Sequence, residues 1–357
     1  MPADHSSIIS FTTTLSPNPP GRAGFGKVLL IVPKASNSLN SGTTLEFASY
    51  AEAQAAQTAG YISSATLARM LVAFSQSPRP AAVKVGNVDL VGSETYAAAF
   101  TRILGVTNDF YGVCIDDRTD TIIDAVSDAV EADGTKQFFF VDEDTSWLDS
   151  GVPSGFSGLV AYLRTSGIWH DVSTAYPDIA LACGRLAFDP DERSVDWKQQ
   201  LVGVANISTA LTAAQRGFIL SNKINVGLPF GSQTNFLFSG QSISGRAIYE
   251  VLSADWFRAR VQEDVANLYA RAAAFGDKII VGAEGQAQVL AILEARLAHG
   301  VRAKHFLQGQ TRATALTVTQ ADLDAKRLRF TAEAQVAQSA NSLVFNFYLQ
   351  NEPLAAA

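Results

Sequence analysis

Five carboxylates stand where a strand-and-helix chain could place chemistry. Asp116 and Asp117 directly follow the apolar run Phe110–Ile115, and Asp142, Glu143 and Asp144 follow Gln137–Val141. As neighbouring strands of a parallel sheet, these runs would bring both clusters to its carboxyl edge, the usual ligand edge. Carboxylates gathered there can hold Mg²⁺ for hydrolysis or phosphoryl transfer, with Asp116 and Asp142 as the key groups. The competing reading is structural: Asp117, Asp120 and Asp144 start or cap helices and the others are solvated. The structural reading is preferred, so neither a metal nor a cofactor is expected.

The other reactive residue types lead nowhere specific. The four histidines are His5, His170, His299 and His305. The last two flank Gly300 six residues apart, which is not a zinc-ligand spacing. His170-Asp171 lacks an accompanying nucleophile elbow and is expected at a strand end, partly exposed. The glycine-rich run Gly21–Gly26 has the wrong order for a dinucleotide fingerprint and precedes a strand instead of opening a helix. No phosphate loop with Lys and Ser or Thr occurs.

The elements that would position these residues fall into two stretches. From Phe25 to about Asp189, strands (Val28–Val32, Val83–Val88, Phe110–Ile115, Gln137–Val141, Ile168–Val172) alternate with helices, which predicts a mainly parallel sheet covered on both faces. Ser49 with Glu52 has capping-box spacing, Ser93 is read as a helix cap, Gly105 closes that helix, and Phe156–Arg164 is read as a helix ended by Gly167. After Pro190 the texture changes. A helix over Thr212–Ser221 and a strand pair, Ile224–Leu228 with Asn235–Ser239, lead to the longest helix, in which Phe257, Val261, Val265, Leu268, Ala272 and Phe275 share one face. Gln286–Ala298 is a second amphipathic helix, closed by Gly300.

Both ends of the chain read as strands. Leu328, Phe330, Ala332, Ala334 and Val336 alternate with polar residues, as do Leu343, Phe345, Phe347 and Leu349. At the front, Ile9, Phe11, Thr13 and Leu15 alternate with Ser and Thr, followed by the breaker Ser16–Gly21. A strand of this kind cannot stand alone, since ordering it costs as much as its apolar face returns. The expected organisation is an N-terminal strand arm (1–22), an α/β domain (23–195), an α+β domain (196–340) and a C-terminal strand arm (341–357).

Composition agrees with a chain that hides surface against partners. Of 357 residues, 47% are hydrophobic and only 17% charged. A net charge of −7 argues against nucleic acid as the main partner. Two cysteines in apolar contexts, Cys114 and Cys183, suit a reducing compartment. Met1–Ser10 is not expected to be a signal peptide, and no run is long and apolar enough for membrane insertion.

Several of these residues also resemble a known family. Asn222–Val226, Gly240, Gly245-Arg246 and Asp255-Trp256-Phe257 leading to Val261-Gln262 are similar to contractile phage tail sheath proteins, as are Asp322–Val336, Gly24–Gly26 with Leu29–Ile31, and the Tyr61–Gly86 segment. Gly227 departs from that pattern, which carries an aromatic there, and the middle of the chain matches poorly. The resemblance implies a subunit of stacked hexameric rings around a tail tube, linked by strands that terminal arms add to neighbours' sheets. Leu328 to Val336 would be the receiving strand. It further implies contraction that drives the tube through the host envelope, a place in the virion after assembly in the host cytoplasm, baseplate and tail terminator proteins as partners, and no enzymatic activity. The alternatives are a metal-dependent α/β enzyme using Asp116 and Asp142, and a static virion structural protein built by the same strand exchange.

Overall fold

A computed structural model describes residues 24–35, 44–149, 154–207 and 210–339. Its centre is a nine-stranded sheet. In chain order, β1 (Val28–Pro33), β2 (Thr44–Phe47), β3 (Val83–Val88), β4 (Gly112–Ile115), β5 (Gln137–Asp142), β6 (Thr165–Trp169), β7 (Gln199–Gln200), β8 (Asn225–Phe230) and β9 (Gln233–Leu237) contribute to it. Across the sheet they run β2-β3-β1-β4-β5-β6-β8-β9-β7. The pairs from β3 to β8 are parallel, and β2, β9 and β7 add antiparallel edges. Every residue of β3, β4, β5 and β6 is buried, polar Lys84, Asn87, Thr165 and Ser166 included, as expected of strands covered on both sheet faces.

The pleat divides the core in two. Leu30, Val85, Cys114 and Phe139 face one side with Met70 of α2 (Ser64–Phe74) and most of α5 (Pro177–Leu186). Leu29, Val113, Phe138 and Phe140 face the other with α3 (Tyr96–Leu104), α4 (Asp120–Asp133) and α6 (Ala213–Ser221). The remaining early helix, α1 (Tyr50–Thr58), is capped by Ser49, whose side chain accepts from the Glu52 amide. Cys114 and Cys183 are buried free thiols, and burial pushes both up.

Beyond residue 240 come α7 (Ile248–Ala274), α8 (Ala283–Arg302), β10 (Phe306–Ala315), the short α9 (Gln320–Asp324) and β11 (Phe330–Val336). β10 and β11 form an antiparallel two-stranded sheet. Phe306, Ala332, Ala334 and Val336 join Val289, Leu293 and Leu297 of α8 and Trp256 and Phe257 of α7 in the first core. The expected mixed α/β class is found, with a large mostly parallel sheet and a small antiparallel one.

Several local expectations are corrected. The large sheet continues past residue 195, because β6 pairs in parallel with β8 through Ile168↔Asn225 and Trp169↔Val226. Ser93 does not cap α3: it sits at a left-handed φ of 63°, and Thr95 accepts from the Ala98 amide. The span read as a helix ended by Gly167 is a 3₁₀ segment, Ser154–Ala161, and Gly167 lies inside β6. A Cβ there would stand 2.5 Å from the Phe140 ring and overlap the Ile224 side chain, so the glycine serves close packing. Gly300 likewise lies within α8 under the ring of Phe306. Phe275 is 86% exposed: α7 is buried along its first half and projects beyond Val265.

Candidate functional site

The acidic edge is closed by the protein's own partners. Asp116 pairs with Arg69, whose Nη2 also donates to the Asp116 carbonyl at 3.2 Å. Asp142 is buried and accepts from Trp147 Nε1 at 2.6 Å and the Asp144 amide at 3.1 Å. Burial pushes its carboxyl up, against the pull of those two bonds. Asp117 accepts from the Thr119 amide, Asp144 caps a 3₁₀ turn through Ser146, Asp120 opens α4, and Glu143 accepts from the Ser173 amide. Asp120 and Asp144 take the start and cap roles expected, whereas Asp117 bonds the α4 cap residue Thr119 from outside the helix, and Asp116 and Asp142 have protein partners instead of being free in solvent. Among the described residues no cluster of three or more His, Cys, Asp or Glu could hold a metal ion.

His170 is buried, not partly exposed: Val172 N–H donates to its Nδ1 and its Nε2 lies 2.9 Å from the Ala205 carbonyl. His299 and His305 do come near one aromatic residue, Trp256. His305 stacks on that indole at 4.3 Å between centroids, and His299 meets it edge-on at 5.5 Å. Burial lowers His305 to about 4.

The motif positions gather around the first half of α7. Gly240 and Gly245 take left-handed φ values of 61° and 85°, and a Cβ on Gly240 would meet the Trp197 backbone at 2.9 Å. Between them Ser242 N–H donates to the Arg246 carbonyl, closing a tight loop that launches the helix. Arg246 reaches Glu250 one turn on, at 3.8 Å. Asp255 is buried and receives both arms of the Arg164 guanidinium, at 2.6 and 2.7 Å, with the Tyr111 hydroxyl at 2.8 Å. It therefore fastens α7 to the residues that enter β4 and β6. Trp256, fully buried, donates to Asp191 at 2.8 Å.

Two groups escaped sequence reading. Asp191 is a hub: besides Trp256 it takes Arg260 Nε at 2.9–3.0 Å, while its carbonyl receives His299. Its signal was only a carboxylate after Pro190. Asn225, fully buried, makes four hydrogen bonds, donating to the Gly167 and Gln241 carbonyls and accepting from Ser239 Oγ and the Gln241 amide. It lay inside the motif, yet a buried amide is invisible to periodicity.

The β10–β11 hairpin is the least finished part of the structure. Among the described residues neither strand has a second partner, so each has one unpaired edge. Phe330, Ala332, Ala334 and Val336 lie in β11 with alternating burial; Leu328 precedes the strand. Asp322 of α9 receives Arg329, the Thr319 hydroxyl and Arg327, which hold its carboxyl well below the usual range. The arm residues Ile9, Phe11, Thr13, Leu15, Leu343, Phe345, Phe347 and Leu349 lie outside the described residues.

No family model matches the chain, and no curated protein matches it in sequence. Its fold is nevertheless that of contractile-sheath proteins, as solved structures show. A chain of the anti-feeding prophage (AFP) baseplate superposes with a TM-score of 0.70 at 13% identity, over 95% of this chain and 98% of that one. A chain of the AFP helical sheath in its contracted state gives 0.66 at 13% identity, again over 95% and 98%. The contracted PVC sheath complex of an extracellular contractile injection system gives 0.69 at 11% identity, over 96% of each chain.

Proposed function

We propose that this chain is a structural, non-enzymatic subunit of a contractile sheath. It would polymerise with itself as stacked hexameric rings around a tube, in a phage tail or a related injection particle, and contract to drive the tube through an envelope. The observation that carries the proposal is the likeness to sheath chains along nearly the whole length of both partners. The open β10–β11 hairpin supports strand exchange as the link: main-chain hydrogen bonds from a neighbour's arm would complete its edges without needing a flat rigid interface. In this reading β11, with Phe330, Ala332, Ala334 and Val336, belongs to the receiving sheet, and Leu343–Leu349 and Ile9–Leu15 are the donated strands. Baseplate and terminator proteins would meet the ends of the polymer, and contraction would draw on differential packing of two lattices, not on nucleotide hydrolysis.

Electron microscopy of the purified full chain tests this. Wide, ridged tubes or stacked rings are expected. Monodisperse particles that never polymerise, at any concentration or with a tube protein present, would overturn it.

A further inference from the structure

We propose that one stripe of α7 couples every element by which a subunit would be joined to its neighbours, so that tension entering by one arm leaves by the other along a single helix. The inference rests on the sheath reading above. Tyr249, Ser253, Trp256 and Arg260 recur at steps of four, three and four residues, which puts them on one face of a helix. Between them they hold four separate segments of the chain.

Tyr249 accepts from the Ser339 amide at 3.0 Å, and the Ser339 hydroxyl donates to Asp196 at 2.5 Å. This is the root of the segment that becomes residues 341–357. Ser253 Oγ lies 2.7 Å from His305 Nδ1, immediately before β10 begins. Trp256 stacks on the same imidazole and also holds Asp191. Arg260 grips Asp191 at 2.8 Å, and its guanidinium lies 5.3 Å over the ring of Phe25, the root of residues 1–22. Phe25 in turn packs on Tyr111 at 5.3 Å, and Tyr111 donates to Asp255 of the same helix.

The stripe thus meets, in order, the C-terminal root, the open hairpin, the Pro190–Asp191 strap and the N-terminal root. Eleven residues separate Tyr249 from Arg260, about 16 Å of helix at 1.5 Å per residue. Folding alone has no need for both chain roots and the unpaired hairpin to share one helix face. Transmission of force does, because a continuous helix bonded to all three moves them as one body.

The test uses the full chain with Tyr249→Phe and Asp196→Ala, which removes both acceptors of Ser339, alongside Tyr249→Phe alone as the milder variant. Hydrogen exchange should show the Ser339 amide released, while the melting temperature stays within about 2 °C, since only a chain edge opens. Tubes should form but break under shear to lengths about fivefold shorter than the parent's, in line with one or two lost hydrogen bonds per link. Tubes of parental length and shear resistance despite a freely exchanging Ser339 amide would overturn the coupling. So would a melting temperature lowered by more than about 5 °C, which would make the contact part of the fold and not of the link. A parent chain that makes no tubes at all would instead sink the sheath reading.

Discussion

The two sheets of this protein make opposite use of their hydrogen-bonding edges. The nine-stranded sheet surrounds β1, β4, β5 and β6 with strands on both sides and helices on both faces, and its outermost strands are short: four residues in β2 and two in β7. The two-stranded sheet has α7 and α8 under one face, an exposed outer face along much of β10, and two unpaired edges among the described residues. Short edge strands blunt pairing with other chains, whereas a long open hairpin invites it. Among the described residues the first sheet ends in short strands and the second keeps two open edges, which in the proposed reading a neighbour's arm would complete.

The largest effect that could break this contrast is truncation. Removing residues 341–357 should leave a cooperative calorimetric melt and native-like circular dichroism yet abolish tubes. An unfolded or insoluble product would mean that the small sheet draws its missing strand from its own chain.

Single substitutions sharpen the contrast. Phe139→Ala, beneath Trp197 at 5.3 Å in the large sheet, should cost about 3–5 kcal/mol in urea unfolding. Phe330→Ala, half-buried in β11, should cost only about 1 kcal/mol in the unassembled subunit, with a larger loss in the polymer.

A pH-dependent effect belongs to the joint between the regions. The unfolded chain binds a proton on His305 near pH 6.5, whereas the folded chain resists until about 4. Stability should therefore be complete above pH 6.5 and fall as pH drops towards 4, by about 3 kcal/mol from this group. His305→Gln should flatten that part of the stability profile; an unchanged profile would place the loss elsewhere.

The smallest expected response is to Mg²⁺. With Asp116 and Asp142 engaged by Arg69 and Trp147, excess Mg²⁺ should move the melting temperature by no more than about 1 °C. A large shift that Asp142→Asn removes would restore the metal-enzyme reading.

What was legible in the sequence follows from locality. The runs that became β1, β3 and β5, the alternation of β11, the caps Ser49 and Asp144 and the start of the helix at Thr212 are set by neighbours a few residues away, and these are legible within a residue or two. Failures came where a distant side chain decides. Gly167 and Gly300 looked like stops because the rings of Phe140 and Phe306 that require them lie 27 and 6 residues off. Phe275 fits the apolar period of α7, but periodicity does not show where a helix leaves its core. The continuity of the sheet past residue 195 depends on pairing across more than 50 residues, Ile168 with Asn225. Of the proposed interface, the alternation of β11 was legible and the strands expected at 9–15 and 343–349 lie outside the described residues; the stripe on α7 was not legible, since its partners converge only in three dimensions.

The irregularity in β10 has a consequence of its own. Between Phe306 and Thr311 that strand advances five residues while β11 advances two, Val336 to Ala334, and Gly309 turns through a φ of 75°. A uniform ribbon looks the same to an incoming strand shifted by two residues, because such a slip keeps every side chain on its own face. The bulge abolishes that equivalence by giving the free edge of β10 a landmark. In a lattice of the proposed kind, an error of one slip per joint would accumulate into a lost helical pitch. A kink that costs one subunit a few hydrogen bonds would thus act as a ruler mark, allowing many copies to repeat at a single spacing.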